Sequence, residues 1–321
     1  MCNLQECMKT ADQAVERRLR CCHSCVVWLQ QMNGVRQMAG ILYLIATPIG
    51  NLEDMTYRAV RLLGEVDLIA AEDTRNSIKL LNHFDIKTPM TSYHEHNKYE
   101  KAQVLVGKLL EGMNIAVITD AGTPGISDPG EEITKQCYEA GIKVVPVPGA
   151  CAAINALVAS GQATRRFAFE AFLPMDKKER QIVLSELAKE TRTMVVYEAP
   201  HRLKRTIQEL LDVLGDRSVT ICREITKKHE TFRKTTLKEA QAFYESEEPK
   251  GECILVIEGL SWETVEKEAQ RKWEVMSIEE HLQMYMEQGV EKKEAMKLVA
   301  KDRGISKREV YAASVREGNA K

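Results

Sequence analysis

Residues 115–130 read IAVITDAGTPGISDPG. The apolar run Ile115 to Ile118 stops short of Asp120, three glycines and two prolines lie between Gly122 and Gly130, and a helix-like pattern resumes near Glu131. A short apolar run bounded by such punctuation predicts a buried strand feeding a binding loop. Gly122, Gly125 and Gly130 permit close approaches that a β-carbon forbids, while Pro124 and Pro129 stiffen the loop and reduce the entropy lost on binding.

Two further strands end in the same way. ILYLIATPIGN (residues 41–51) runs into Thr47, Pro48 and Gly50, and KVVPVPGACAA (residues 143–153) ends in Pro146, Pro148 and Gly149. In an open α/β sheet the carboxyl ends of parallel strands lie along one edge, so loops distant in sequence converge there on a small-molecule site. None of the loops has the G-x-G-x-x-G spacing, and no G-x-x-x-x-G-K-[ST] stretch is present. These absences argue against dinucleotides and nucleoside triphosphates and leave a neutral or zwitterionic ligand carrying adenine and ribose.

Apparent strands at 41–46, 67–71, 88–93, 114–119 and 143–147 alternate with amphipathic segments, which predicts an α/β domain over 40–161 with a largely parallel sheet. Gly161 and Gln162 break that pattern. FAFEAF (167–172), TMVVYEA (193–199), SVTICREI (218–225) and ECILVIEG (252–259), with helices after Asp176, after Pro200 and around Leu237, predict a second α/β domain over 162–260. Its longer polar connections favour a mixed sheet, and two such domains are expected to face across a ligand cleft.

Beyond Gly259 the charged stretch SWETVEKEAQRKWEVM reads as a linker or exposed helix. Over 277–321 a helix-turn-helix-like module is predicted. Ser277 and Glu280 form a capping-box signature, Gly289 and Gly304 stop two helices, and Ser306 with Glu309 caps a third. Lys297, Lys301, Arg303, Lys307, Arg308 and Arg316 serve nucleic-acid binding there only if they share one face; packing or protein contact is the other reading.

With 44% hydrophobic and 29% charged residues in 321, the chain has the composition of a soluble protein, and no apolar run approaches the span of a bilayer. A net charge of -2 argues against a generic nucleic-acid coat, so RNA contact needs local basic patches. Nine scattered cysteines suit reduced thiols in a cytosol, and the CCHSC segment with His23 matches no common zinc spacing, so no metal is expected. Residues 1–39 read as an N-terminal extension, either a misassigned upstream start or a poorly ordered tail; Met38 stands just ahead of the first strand.

The strings LYLIATPIGNLEDMTYRAV, AAEDTR, SYHEHN, DAGTPGISDPG, VPGACAAINALVASG, YEAPHRL and ITKKHETF occur in that order. Together they resemble the tetrapyrrole-methylase-like S-adenosylmethionine enzymes, and among these the branch acting on small-subunit ribosomal RNA, from about Gly40 to the C-terminus. The resemblance implies two α/β domains of the tetrapyrrole-methylase type with the donor between them. It also implies a cytoplasmic homodimer and transfer of methyl from S-adenosylmethionine to the 2'-oxygen of a decoding-centre cytidine in 16S rRNA, free or in the small ribosomal subunit. By the same resemblance the donor touches Pro48, Gly50, Asp120, Gly122, Thr123, Ile126, Cys151, Ala152, Tyr197 and Ala199, with Glu198 beside them. Cys151 holds a small-residue position, where a buried thiol is inert packing.

A ribose hydroxyl is a weak acid, so its proton needs an acceptor. Candidates are Glu72 and Asp73 in the run ending at Arg75, Asp120, Glu198, His201, and the cluster His94, Glu95, His96. Asp73, Arg75 and Glu198 are the residues placed at catalysis. Against that stand structural roles: Asp73 pairing with Arg75, Asp120 capping a loop, His201 bonding backbone at a helix start. His94 and His96 alternate as on a strand, but without ligand-spaced partners they make no metal site. RNA contact falls to Arg58, Arg75, Arg165, Arg166, His201, Arg202, Lys227, Lys228 and His229. Two other functions fit the same features: a methyltransferase acting on a tetrapyrrole, and a non-catalytic RNA- or ribosome-binding protein.

Overall fold

A computed structural model describes residues 38–316, with side chains to residue 314. The N-terminal extension through residue 37, with its CCHSC segment, and the Arg316 side chain lie outside the described residues. The chain divides into two compact units at Cys151/Ala152.

In the first unit Ile41–Ile45 (β1), Leu68–Ala71 (β2), Met90–Ser92 (β3), Ile115–Ile118 (β4) and Lys143–Val147 (β5) form a sheet in the order β3-β2-β4-β1-β5. Every pairing in it is parallel. β2 and β4 are buried along their whole length, as expected of central strands covered on both faces. Alternation then sorts the core. Leu68 and Ala70 join Leu42, Ile115 and Val117 on one face, against Leu105 and Leu109 of Lys98–Leu110 (α3) and Ile133 of Gly130–Glu139 (α4). Ile69 and Ala71 join Ile45, Ala116 and Ile118 on the other, against Leu62 and Leu63 of Tyr57–Glu65 (α1) and Leu81 of Thr74–His83 (α2). Each large apolar side chain so enclosed contributes roughly 1.5–3 kcal/mol. Thr56 and Asp73 cap α1 and α2 by accepting from the backbone N–H of Ala59 and Arg75.

The second unit begins with Ala152–Ala159 (α5), ten residues ahead of the Gly161–Gln162 break, because α5 packs on the second sheet. Thr220 Oγ1 donates to the Ser160 carbonyl at 2.8 Å, just past its end. Phe167–Phe172 (β6), Thr193–Glu198 (β7), Ser218–Arg223 (β8), Thr231–Thr236 (β9) and Cys253–Ile257 (β10) run in the order β6-β7-β10-β8-β9. β6 and β7 are parallel and the other pairs antiparallel, so the sheet is mixed. Lys177–Leu187 (α6), Pro200–Leu214 (α7) and Leu237–Ser246 (α8) cover the face built from Met194, Val196, Val219, Ile221 and Leu255. The edge strand β9, TFRKTT, was not anticipated: it buries no residue, so it sends no apolar signal, and only its β-branched threonines hint at it.

Trp262–Arg271 (α9) is an exposed helix with no buried residue. Ile278–Glu287 (α10), Lys292–Arg303 (α11) and Lys307–Arg316 (α12) enclose a small core of Leu282, Ala295, Val299, Ala300 and Val310. The Ser277–Glu280 capping box is present, and Gly304 closes α11 in the left-handed conformation at φ 62°. Among the described residues no helix is long and apolar enough to cross a membrane.

Candidate active site

Sheet order decides which loops meet. β4 lies between β2 and β1, and β5 flanks β1, so the segments leaving their carboxyl ends are neighbours. Thr47, just past β1, donates its N–H to the Gly122 carbonyl at 2.9 Å and accepts from the Gly122 N–H at 3.1 Å. Its hydroxyl donates to the Thr119 carbonyl at 3.2 Å. The third loop joins through Thr123 Oγ1, which donates to the Ala150 carbonyl at 3.0 Å. Thus the loops carrying Pro48 and Gly50, Gly122 and Thr123, and Ala150 and Cys151 form one surface in the first unit.

Glycine is required at two of these contacts. Gly122 has φ +87°, and a β-carbon there would sit 3.4 Å from Ile49 Cγ2 and 3.6 Å from the Ala150 oxygen. One on Gly149 would lie 2.7 Å from the Ala46 β-carbon, inside any real contact. Beyond Gly122 the loop wraps around Asp128, which sequence reasoning passed over. Its carboxylate accepts from the Gly125 N–H at 2.8 Å, the Ile126 N–H at 3.2 Å and the Gly130 N–H at 2.7 Å. Ser127 is held at φ 65° inside that turn, and the Ile126 side chain stays exposed. An aspartate between Gly-rich turns, able to bond backbone ahead of and behind itself, was the available signal. Tyr93 anchors the far end by donating its hydroxyl to the Pro129 carbonyl at 2.7 Å.

On the other side of β4, Asp120 accepts from the Asp73 N–H at 3.2 Å and donates its own N–H to Glu72 Oε2 at 3.3 Å. Burial pushes the Glu72 carboxyl up, and the charges of Asp120 and Asp128 add to it. Asp73 is the opposite case. Arg75 grips both its oxygens, at 3.0 and 2.7 Å, and those bonds hold the carboxyl down at about 2. The Arg75 side chain is otherwise exposed. His94 and His96 do not alternate on a strand. β3 stops at Ser92, and His94 precedes a 3-10 turn in which Asn97 accepts from its N–H at 2.9 Å.

In the second unit Tyr197, next to last in β7, accepts at its hydroxyl the Ala153 N–H of the first turn of α5 at 3.0 Å. Ala152 stands beside it in sequence, and Ala199 is the N-cap of α7. Glu198 is wholly enclosed. Thr206 Oγ1 donates to its Oε2 at 2.6 Å, the Ala199 N–H donates to Oε1 at 2.9 Å, and Arg202 pairs with Oε1 at 2.8 Å. Arg180, itself buried, donates to Thr206 at 2.7 Å and to Glu209 at 2.6 Å. Of the basic residues named for RNA, Lys227 pairs with Glu224 and Glu252, both at 3.2 Å, and His201 is exposed on α7. Among the described residues no group of three His, Cys, Asp or Glu side chains has the geometry to hold a metal.

The family model for tetrapyrrole (corrin/porphyrin) methylases matches residues 41–241. Ribosomal RNA small subunit methyltransferase I of Halalkalibacterium halodurans is 50% identical over 282 residues, covering 88% of this chain and 97% of the relative. The proteins of that name from Synechocystis sp. and Bacillus subtilis are 49% identical (86% of this chain, 98% of the relative) and 48% identical (88% and 96%). The crystal structure of diphthine synthase superposes with TM-score 0.54 at 11% identity over 68% of this chain and 90% of its own. The methyltransferase CobJ gives 0.52 at 17% over 69% and 95%, a likeness of fold. With the family model spanning most of both α/β units and half the residues shared over nearly the whole of the relatives, this chain belongs to the tetrapyrrole methylase family, in its ribosomal RNA small subunit methyltransferase I branch.

Proposed function

We propose that this protein methylates the 2'-oxygen of a decoding-centre cytidine in 16S rRNA, as free RNA or within the small subunit, with S-adenosylmethionine as donor. One observation carries the reading: in a chain half identical to ribosomal RNA small subunit methyltransferase I, three Pro/Gly loops are tied into one surface by the Thr47–Gly122 and Thr123–Ala150 bonds. The surface fits the donor. Gly122 and Gly149 let its loops close on one another, where a β-carbon would press on Ile49 or Ala46, and the exposed Ile126 supplies apolar contact for an adenine.

In the first unit Pro48, Gly50, Asp120, Gly122, Thr123, Ile126 and Cys151 are the proposed donor contacts; in the second they are Ala152, Tyr197 and Ala199. The donor supplies a methyl group on a sulfonium that is already an activated leaving group, so the protein's task is positioning. Asp120 orients the acceptor side, since its carboxylate fixes the turn at Asp73. Arg75, exposed and always charged, takes an RNA phosphate, and Asp73 sets its direction. A carboxyl held near 2 is a weak base, so the hydroxyl proton passes more readily to Glu72, whose carboxyl burial makes the stronger base. We also assign the protein to the cytoplasm as a homodimer.

The test has two stages. Calorimetry reads donor binding, and absence of binding sinks the enzyme readings in favour of a non-catalytic RNA-binding protein. Tritiated methyl transfer to small ribosomal subunits lacking the modification, with none to uroporphyrinogen, is the expected outcome; the reverse pattern assigns a tetrapyrrole substrate.

A further inference from the structure

β6 carries a defect at its carboxyl end. Phe169 is aligned with Val195 and Phe172 with Tyr197, so Glu170 and Ala171 together oppose the single residue Val196. Ala171 sits at φ 49°, a left-handed conformation that costs a residue with a β-carbon on the order of 1–2 kcal/mol. In a regular strand residues three apart, such as Phe169 and Phe172, point to opposite faces; the bulge restores them to one face, opposite Val195 and Tyr197. With it both reach Tyr197, edge to face, with ring centroids 5.1 and 5.5 Å away. Bulges at strand ends re-aim side chains, and strain of this kind persists where the surrounding structure holds it in place.

The re-aimed ring is not buried by the move. Phe172 remains 51% exposed and Met175, in the following loop, 77%. Over them lies Arg202, its guanidinium carbon 5.9 Å from the Phe172 centroid and one nitrogen against the Met175 sulfur. Arg202 is held from behind by the enclosed Glu198 carboxylate at 2.8 Å, and Tyr197 is tethered to Ala153 through its hydroxyl. Around them the start of α6 exposes Lys177 and Lys178 together with Asp176 and Glu179, and His201 is exposed beside Arg202. A rigid aromatic face and a fixed guanidinium are the elements that take an unstacked base and its phosphate.

We propose that Phe172, Met175 and Arg202 form a stacking platform for a nucleobase of the single-stranded RNA substrate. Glu198 acts as a positioning residue that locks Arg202 over it. The inference rests on the RNA-methylation reading above and adds to it the residues that hold the acceptor strand.

Methyl transfer to small ribosomal subunits lacking the modification tests it. Phe172→Ala is expected to raise KM for the subunit on the order of 5- to 100-fold, the size of one lost base stack, with donor Kd by calorimetry unchanged. Phe172→Trp keeps the wild-type KM. Phe172→Leu retains apolar bulk without a π face and raises KM as alanine does, which separates stacking from a folding defect. Glu198→Gln raises KM with kcat retained; a fall in kcat at unchanged KM assigns Glu198 to the chemistry and overturns its positioning role. An unchanged KM in Phe172→Ala, a parallel loss of donor affinity, or a variant sedimenting as a smaller species overturns the platform, the last by giving the ring to a second copy of the chain. Wild-type protein that binds the donor yet transfers nothing to the subunit overturns the parent reading, and the platform with it.

Discussion

Thr47 and Gly122 exchange both backbone hydrogen bonds, at 2.9 and 3.1 Å, across loops 75 positions apart in the chain (122 minus 47). That single bridge joins the β1 and β4 loops into one wall, and its geometry depends on Gly122 at φ +87°. Gly122→Ala is expected to lower stability by about 1–2 kcal/mol through backbone strain, read as a drop in Tm. Gly122→Arg projects a long side chain into the proposed donor surface and should abolish donor binding in calorimetry. Unchanged affinity would remove Gly122 from that surface.

Asp128 gathers three backbone N–H groups of its own loop. Asp128→Ala leaves those donors unpaired at a cost of about 1–3 kcal/mol, and hydrogen exchange should speed up at Gly125, Ile126 and Gly130 while the β4 amides stay protected. Donor affinity is expected to fall with it, since the loop loses its pre-organised shape.

Arg75 holds the Asp73 carboxyl at about 2, below its ordinary 3.8. A depressed carboxyl contributes stability that is present above the unfolded value of 3.8 and is lost as pH falls through about 2. No pH effect from Asp73 is therefore expected between 5 and 9. Arg75→Ala should return the carboxyl toward the ordinary value in a carbon-detected NMR titration and weaken RNA binding without lowering Tm.

In the helical module His281 is fully buried, stacked on Trp273 with centroids 3.9 Å apart and against Tyr285 at 5.3 Å. Arg303 donates to its Nδ1 at 3.2 Å, while Asp302 lies 3.5 Å from Nε2. Burial, then the Arg303 charge, push the imidazole below its ordinary 6.5. The folded module therefore holds the neutral ring and the unfolded chain takes up the proton first. Stability is complete above 6.5 and declines as pH falls from there through the lower folded value. Unfolding followed by Trp273 fluorescence should show that decline, and His281→Phe, which keeps a planar ring in the stack, should remove it.

Removing Arg180 takes a buried partner from Thr206 and Glu209, while Glu198 keeps Arg202 and Glu209 keeps Arg205. Arg180→Ala is expected to cost about 1–3 kcal/mol, the scale for a lost buried hydrogen-bond partner, and chemical denaturation at neutral pH measures it.

Much of the architecture was legible because it rests on local pattern. Continuous apolar runs marked β2 and β4, alternation with amphipathic helices marked the parallel sheet, and Ser277–Glu280 and Ser306–Glu309 marked two helix starts that the hydrogen bonds reproduce. The three loops were visible as glycines and prolines at strand ends. β9 was not visible, because an edge strand with no buried residue leaves no hydrophobic period to read.

What the sequence determined by itself was the kind of chain: strand-ending loops of the tetrapyrrole-methylase type on an α/β frame. Tertiary structure alone decided what the individual side chains do there. Glu198 stands in sequence beside the proposed donor contacts, yet its carboxylate is taken up by Thr206, Arg202 and a backbone N–H. Phe172 looks like one more strand aromatic on the face opposite Phe169, yet the bulge at Val196 sets it across from Tyr197 on the same face. Sequence records spacing along the chain, which sets secondary structure, whereas a buried carboxylate's partners and a bulge's facing depend on register between strands and helices far apart in it.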